Sequence, residues 1–172
     1  MNYARIIPHD IGNGPGIRVS LFVSGCTNNC PGCFNKETHD FNYGKPYNSG
    51  VADEILEYIK DPVVSGLSIL GGDPMCQSLL GKYLLYDLCS SVKHRYKKNV
   101  WLWTGYTWGQ VLDTIGDIGY TKELLSVVDV MVDGPFVEAQ KDLSLEWRGS
   151  ANQRIINVQE SLKRKEVVLW QT

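Results

Sequence analysis

Four apolar runs, each closing on a glycine-bearing or small polar turn, constrain this chain more than any other feature. They are "IRVSLFV" (17–23, followed by Ser24 and Gly25), "GLSILGGDP" (66–74), "VWLWTGYT" (100–107) and "VDVMVDGPF" (128–136). Helical patterns fall between them. Val51, Ile55, Leu56 and Ile59 recur at helical spacing behind a candidate cap at Ser49, and Pro62 stops that helix. Leu80, Leu84 and Leu88 stand four apart within 79–96, as for a helix lying on a sheet. Weaker patterns follow around Trp108, Val111, Leu112 and Ile115, and again over 122–127. The stretch from Asn35 to Ser49 carries neither period, and "RIINV" and "EVVLW" in the tail predict one or two further strands. Strands alternating with helices predict an α/β fold on a parallel sheet.

In such a sheet the turns after the strands converge on one rim. Cys26, Gly71 to Pro74, Thr104 to Tyr106 and Asp133 to Pro135 all follow strand ends, where open sheets and barrels bind ligands. A single glycine turn is as well explained as a plain connection. The recurrence of such turns on the cysteine side favours a pocket.

That side holds "VSGCTNNCPGCFNK", which puts Cys26, Cys30 and Cys33 into eight residues. Thiolates are soft ligands suited to zinc or to iron and sulfide, and a short loop can wrap three of them around one centre. A [4Fe-4S] cube bound by three cysteines leaves one iron open. Zinc would need a fourth ligand, with His39 nearest in sequence, and "CPGC" alone also reads as a redox dithiol. Cys76 and Cys89 stand apart and read as single buried or half-buried thiols.

Composition excludes other classes. The chain has 172 residues, room for one domain over 1–172 with a sizeable core. Its 17 basic and 19 acidic side chains give a net charge of −2, without long-range attraction to nucleic acid or to an anionic membrane. There is no run of 18 apolar residues and no basic n-region followed by an apolar h-region. The expectation is a cytoplasmic protein with neither nucleic acid nor membrane as partner.

With these residues in view, the chain resembles the radical S-adenosylmethionine enzymes. "CTNNCPGC" has their CxxxCxxC spacing, and "GGDP" is similar to the glycine-rich motif that holds the methionine amino group. Along nearly the whole chain, "DIGNGPGIRVSLFVSGCTNNCPGCFNKET", "LSILGGDP", "VWLWTGYT", "VDVMVDGPF" and "DLSLEWRGSANQ" resemble, in order, the activases of the anaerobic ribonucleoside-triphosphate reductase. One departure stands out: many superfamily members carry an aromatic just before the third cysteine, where this chain has Gly32, its ring following as Phe34.

The resemblance implies a partial, open TIM-like barrel of about five to six mostly parallel strands with helices outside. It implies a [4Fe-4S] cluster on Cys26, Cys30 and Cys33 and S-adenosylmethionine bound among Gly32, Cys33, Phe34, Gly71, Gly72, Asp73, Thr104 and Asp133. No side chain would serve as acid or base, since the cofactors carry the radical chemistry. The activity implied is that of an oxidoreductase: reductive cleavage of S-adenosylmethionine and abstraction of a glycine α hydrogen on the reductase large subunit. A flavodoxin-like electron donor is implied too, and a homodimer is compatible with it. "NGPG" (13–16) resembles a loop of the family beside the site, and Trp147 with Arg148 reads as a partner-facing or site-closing pair. The rival readings are an activase of the pyruvate formate-lyase type, a small-molecule radical enzyme, and a zinc-stabilised interaction module without catalysis.

Overall fold

In the computed structural model, which describes residues 1–114 and 119–171, the apolar runs lie side by side in one seven-stranded sheet. The strands are β1 (Asn2–Asp10), β2 (Ile17–Val23), β3 (Lys45–Pro46), β4 (Val64–Gly71), β5 (Asn99–Trp103), β6 (Val130–Asp133) and β7 (Arg154–Asn157). Their order is β3-β1-β2-β4-β5-β6-β7. The pairs β2/β4, β4/β5 and β5/β6 are parallel, while β1 and β3 at one edge and β7 at the other run antiparallel to their neighbours. The helices α1 (Ser49–Ile59), α2 (Leu79–Ser90), α3 (Trp108–Asp113), α4 (Thr121–Val127) and α5 (Val158–Arg164) supply the crossovers and the tail. The result is an open, partial barrel.

Alternation along the strands gives the sheet two different faces. Leu21, Ile69, Leu102 and Met131 stand in register across four strands, and all are fully buried with Ile55, Leu85, Leu88 and Leu125 from the helices. The opposite face carries Arg18, Ser68, Trp101 and Trp103. The Arg18 guanidinium is fully buried, donates to Ser68 Oγ at 2.6 Å and to the Leu67 carbonyl at 2.8 Å, and lies 5.5 Å from the Trp101 ring centroid. A buried cation is tolerated when its donors are satisfied and an aromatic face covers it.

Some sequence expectations need correction. The cap of α1 is Asn48, whose extended backbone lets its side chain accept from Val51 N at 3.2 Å; Ser49 is already the first helical residue. Leu80 is 59% exposed and Leu84 only half-buried, because the buried stripe runs through Gly81, Leu85, Leu88 and Cys89, so of the three leucines only Leu88 lies on it. Ile115 lies outside the described residues. In the tail, "RIINV" forms β7, whereas "EVVLW" contributes a single bridge between Leu169 and Ile156. No helix among the described residues is long and apolar enough to cross a membrane.

Candidate functional site

The cysteine loop leaves β2 through Gly25, whose φ of +104° is a conformation that a side chain would strain. Both ends of the loop are fixed. Gly25 N donates to the Thr38 carbonyl at 2.8 Å, Cys26 N to the His39 carbonyl at 3.1 Å, and Cys33 N to the Cys30 carbonyl at 3.2 Å. Cys26, Cys30 and Cys33, all half-buried and unbridged, thereby line one cavity of about 140 Å³ at the carboxyl ends of the parallel strands. Gly71, Gly72 and Thr104 line it from β4 and β5.

The glycines of "GGDP" are needed by the backbone itself. Gly71 has φ +106°, and a Cβ there would meet the Val23 carbonyl oxygen at 2.7 Å; one on Gly72 would meet the carbonyl oxygens of Gly25 and Thr38 at 2.7 Å. Main chain therefore packs on main chain directly behind the thiols. Asp73 then ties the turns together. Its Oδ2 accepts from Asn28 Nδ2 at 3.0 Å, Thr104 Oγ1 at 3.0 Å and Gly105 N at 2.9 Å, and its Oδ1 accepts from Met75 N at 2.8 Å. Burial pushes its carboxyl up to about 7, the neighbouring Cys76 sulfur adds to this, and the donors of Gly105, Met75 and Thr104 draw it back. Gln77, also buried, donates to the carbonyls of Ser24 and Asp73 at 3.0 and 3.1 Å.

Other predicted residues lie at different distances from this cavity. Thr104 is buried and faces it through Asp73. The Asp133 carboxylate is taken up by the Arg154 guanidinium and by Trp108 N at 2.7 Å, while its neighbour Gly134 lines the cavity. Gly32, at φ +70°, is exposed beside Glu138. Phe34 is 59% exposed, meets Phe136 edge-on at 5.4 Å and lines a second cavity. That cavity, of about 450 Å³, shares Cys33, Asn35, Leu70, Trp103, Phe136 and Gln153 with the first, so the two adjoin across these residues. Trp147 and Arg148 form its far wall, where Trp103 Nε1 donates to the Trp147 carbonyl at 2.7 Å and Arg148 Nη1 to the Gln153 carbonyl at 2.8 Å. The "NGPG" loop reaches it through Asn13, held by Asp10 and by Ser68 Oγ donating to the Asn13 carbonyl at 2.6 Å.

Asn28, Gln77 and Cys76 carried no sequence signal. The ligand atoms of Cys26, Asp73 and Cys76 all lie within 4.8 Å of one another, so Cys76 does not stand alone as its isolated place in the sequence suggests. Among the described residues no such set includes Cys30, Cys33 or His39. His39 lines the thiol cavity but pairs through Nδ1 with Asn29 Oδ1 at 3.0 Å. The three loop cysteines and His39 are thus not gathered about one point as a tetrahedral zinc requires, whereas three spaced thiols around one cavity suit a larger polynuclear group. The residues fit a [4Fe-4S] cluster on Cys26, Cys30 and Cys33.

Thiols spaced this way on the rim of an open parallel sheet define a single-cluster iron–sulfur protein, and the family described as "4Fe-4S single cluster domain" matches residues 12–156. Full-length similarity is more specific. The chain is 44% identical to the anaerobic ribonucleoside-triphosphate reductase-activating protein of Vibrio cholerae serotype O1 over 158 residues, 90% of this chain and 97% of that one. It is 40% identical to that of Escherichia coli strain K12 over 89% of this chain and 96% of the relative, and 37% identical to that of Enterobacteria phage T4 over 90% and 93%. The chain belongs to the anaerobic ribonucleoside-triphosphate reductase-activating proteins.

Proposed function

We propose that the chain activates anaerobic ribonucleoside-triphosphate reductase by placing a radical on a glycine of that enzyme's large subunit. Cys26, Cys30 and Cys33 would hold a [4Fe-4S] cluster, which would supply the electron for reductive cleavage of S-adenosylmethionine and so the means of abstracting the glycine α hydrogen. The observation that carries this reading is the meeting of three spaced thiols and the Gly71–Gly72 backbone in one cavity that adjoins a larger, aromatic-walled one.

The chain's own residues bind and orient. The three cysteines would hold the cluster, and the side-chain-free backbone at Gly71 and Gly72 would offer polar main-chain groups to the methionine end. With its oxygens already accepting four donors from this chain, Asp73 positions the turns rather than reaching the ligand. Thr104 and Gly105 hold the ribose side in place through the same carboxylate. Phe22, Phe34, Trp103 and Phe136 give the larger cavity an apolar wall suited to a glycine-bearing peptide loop. A flavodoxin-like protein is the proposed electron donor.

The test is electron paramagnetic resonance on reconstituted protein mixed anaerobically with the reductase, dithionite and S-adenosylmethionine. The expected result is a glycyl-radical signal on the reductase together with 5′-deoxyadenosine. Absence of 5′-deoxyadenosine, with or without the reductase, would overturn the radical assignment. Cleavage without a radical on the reductase would overturn only the partner.

A further inference from the structure

Cys76 lies outside the three-cysteine loop, yet its sulfur stands close to that of Cys26. The sulfurs of Cys26 and Cys76 are within 4.8 Å, and both residues are half-buried. Thr27 Oγ1 at 3.3 Å and the Tyr106 hydroxyl at 3.6 Å contact the Cys76 sulfur on the side of the cysteine loop. The two backbones are joined as well. Asp73 N donates to the Gly25 carbonyl at 2.8 Å, and the turn Pro74–Cys76 that carries the second thiol is closed by Cys76 N donating to the Asp73 carbonyl at 3.1 Å. Asp73 is poorly placed as a third metal ligand, because its oxygens accept four donors already. What remains is a dithiol of which one member is a cluster ligand and the other is not.

We infer that, in the chain without its cluster, Cys26 and Cys76 exchange with a small-molecule disulfide such as oxidised glutathione to form an intramolecular disulfide that blocks cluster insertion until it is reduced. The exchange balances. One cysteine sulfur attacks the small disulfide, forming a mixed disulfide and releasing one small thiol. The other cysteine then attacks the protein-side sulfur and releases the second thiol. Two cysteine thiols are oxidised, one small disulfide is reduced to two thiols, and the two protons pass to the released thiols. With the cluster in place Cys26 is bound to iron, so the reaction is confined to the empty chain. The bond is inferred from the proximity of the two sulfurs; its consequence for cluster insertion rests on Cys26 being a ligand.

The experiment treats the full iron-free chain anaerobically with oxidised glutathione, removes the reagent and divides the sample: in one half the free thiols are blocked and disulfides are mapped by peptide mass spectrometry, and in the other, left unblocked, iron and sulfide uptake is measured before and after dithiothreitol. The expected result is a Cys26–Cys76 peptide lighter by two hydrogens, loss of uptake, and recovery on reduction, whereas in Cys76→Ser and Cys76→Ala the Cys26 sulfur is found only as a free thiol or as its glutathione mixed disulfide. A bridge between Cys30 and Cys33, or no bridge, would overturn the inference. A mapped Cys26–Cys76 bond with undiminished uptake would instead overturn the blocking role and count against Cys26 as a cluster ligand.

Discussion

Asn28 reaches across the mouth of the thiol cavity and donates its side-chain amide to Asp73, Nδ2 to Oδ2 at 3.0 Å. The cysteine loop after β2 and the turn after β4 are thereby held by one carboxylate, which also takes Thr104 and Gly105 after β5. Asp73→Asn would place two N–H groups where donors already point. A buried donor left without an acceptor costs about 1–3 kcal/mol. Urea unfolding of the iron-free chain should show a loss of that order for Asp73→Asn and a smaller one for the partly exposed Asn28→Ala. Equal stability of Asp73→Asn and wild type would mean that the carboxylate does not organise the turns.

The glycines make a sharper contrast. Gly71 has φ +106° and no room for a Cβ, whereas Gly109 in α3 has nothing within 4 Å of where a Cβ would stand. Gly71→Ala should cost about 1–3 kcal/mol in backbone strain. Gly109→Ala should stabilise by about 0.4–1 kcal/mol through the unfolded chain. Thermal melts of the two variants should therefore move in opposite directions.

The cysteines divide by place. Cys30→Ala should fail to retain iron and sulfide after anaerobic reconstitution and should yield no 5′-deoxyadenosine. Cys89 is fully buried in the helix-side core, and burial pushes its thiol up, so Cys89→Ala should load iron as wild type does. In the wild-type folded chain Cys89 should resist alkylation while Cys30 reacts. Iron loss in Cys89→Ala would contradict the ligand assignment.

Where the sequence was legible, one period or one spacing carried the message. The strands β2, β4, β5 and β6 are apolar runs buried on both faces, and Trp101 and Trp103, two residues apart, do share a face. The three-cysteine spacing lay within one loop. By contrast β1 is a half-exposed strand interrupted near Pro8, where its register with β2 shifts, so its alternation is faint. Cys76 meets Cys26 only because the Asp73 turn folds back over the end of β2, a contact across 50 positions that no local pattern encodes. Asp133 shows the converse: its place after a strand was readable, but not that Arg154 from the antiparallel β7 would occupy its carboxylate.

Acid should reveal the anchor of the "NGPG" loop. Burial works against ionisation of Asp10, but the Ser20 hydroxyl facing it, Asn13 Nδ2 at 2.5 Å, Gly12 N at 2.7 Å and the charge of Arg5 outweigh it and hold the carboxyl below its ordinary 3.8. A folded-state value below the unfolded one means that the unfolded chain binds the proton more readily. The contribution is therefore complete above pH 3.8 and is lost as pH falls through the lower folded value. Melting temperature measured downward from pH 5 should fall less steeply for Asp10→Asn than for wild type. Parallel curves would show that Asp10 is not held in its ionised form.

Trp147 joins backbone strain to the wall of the larger cavity. Its φ is +58°, its carbonyl accepts from Trp103 Nε1 at 2.7 Å, and its ring meets those of Trp101 and Trp170 edge-on at 5.4 and 5.6 Å. Either small replacement loses the ring contacts, but glycine accepts the left-handed conformation and alanine does not, a difference of about 1–2 kcal/mol. Trp147→Gly should therefore be more stable than Trp147→Ala, the reverse of their order in a helix. Both changes loosen the far wall of the larger cavity, while Cys26, Cys30 and the Gly71–Gly72 turn line the smaller one. Cleavage of S-adenosylmethionine by the isolated protein should persist in both, while radical formation on the reductase falls. Equal loss of the two activities would place Trp147 at the cofactor rather than at the partner.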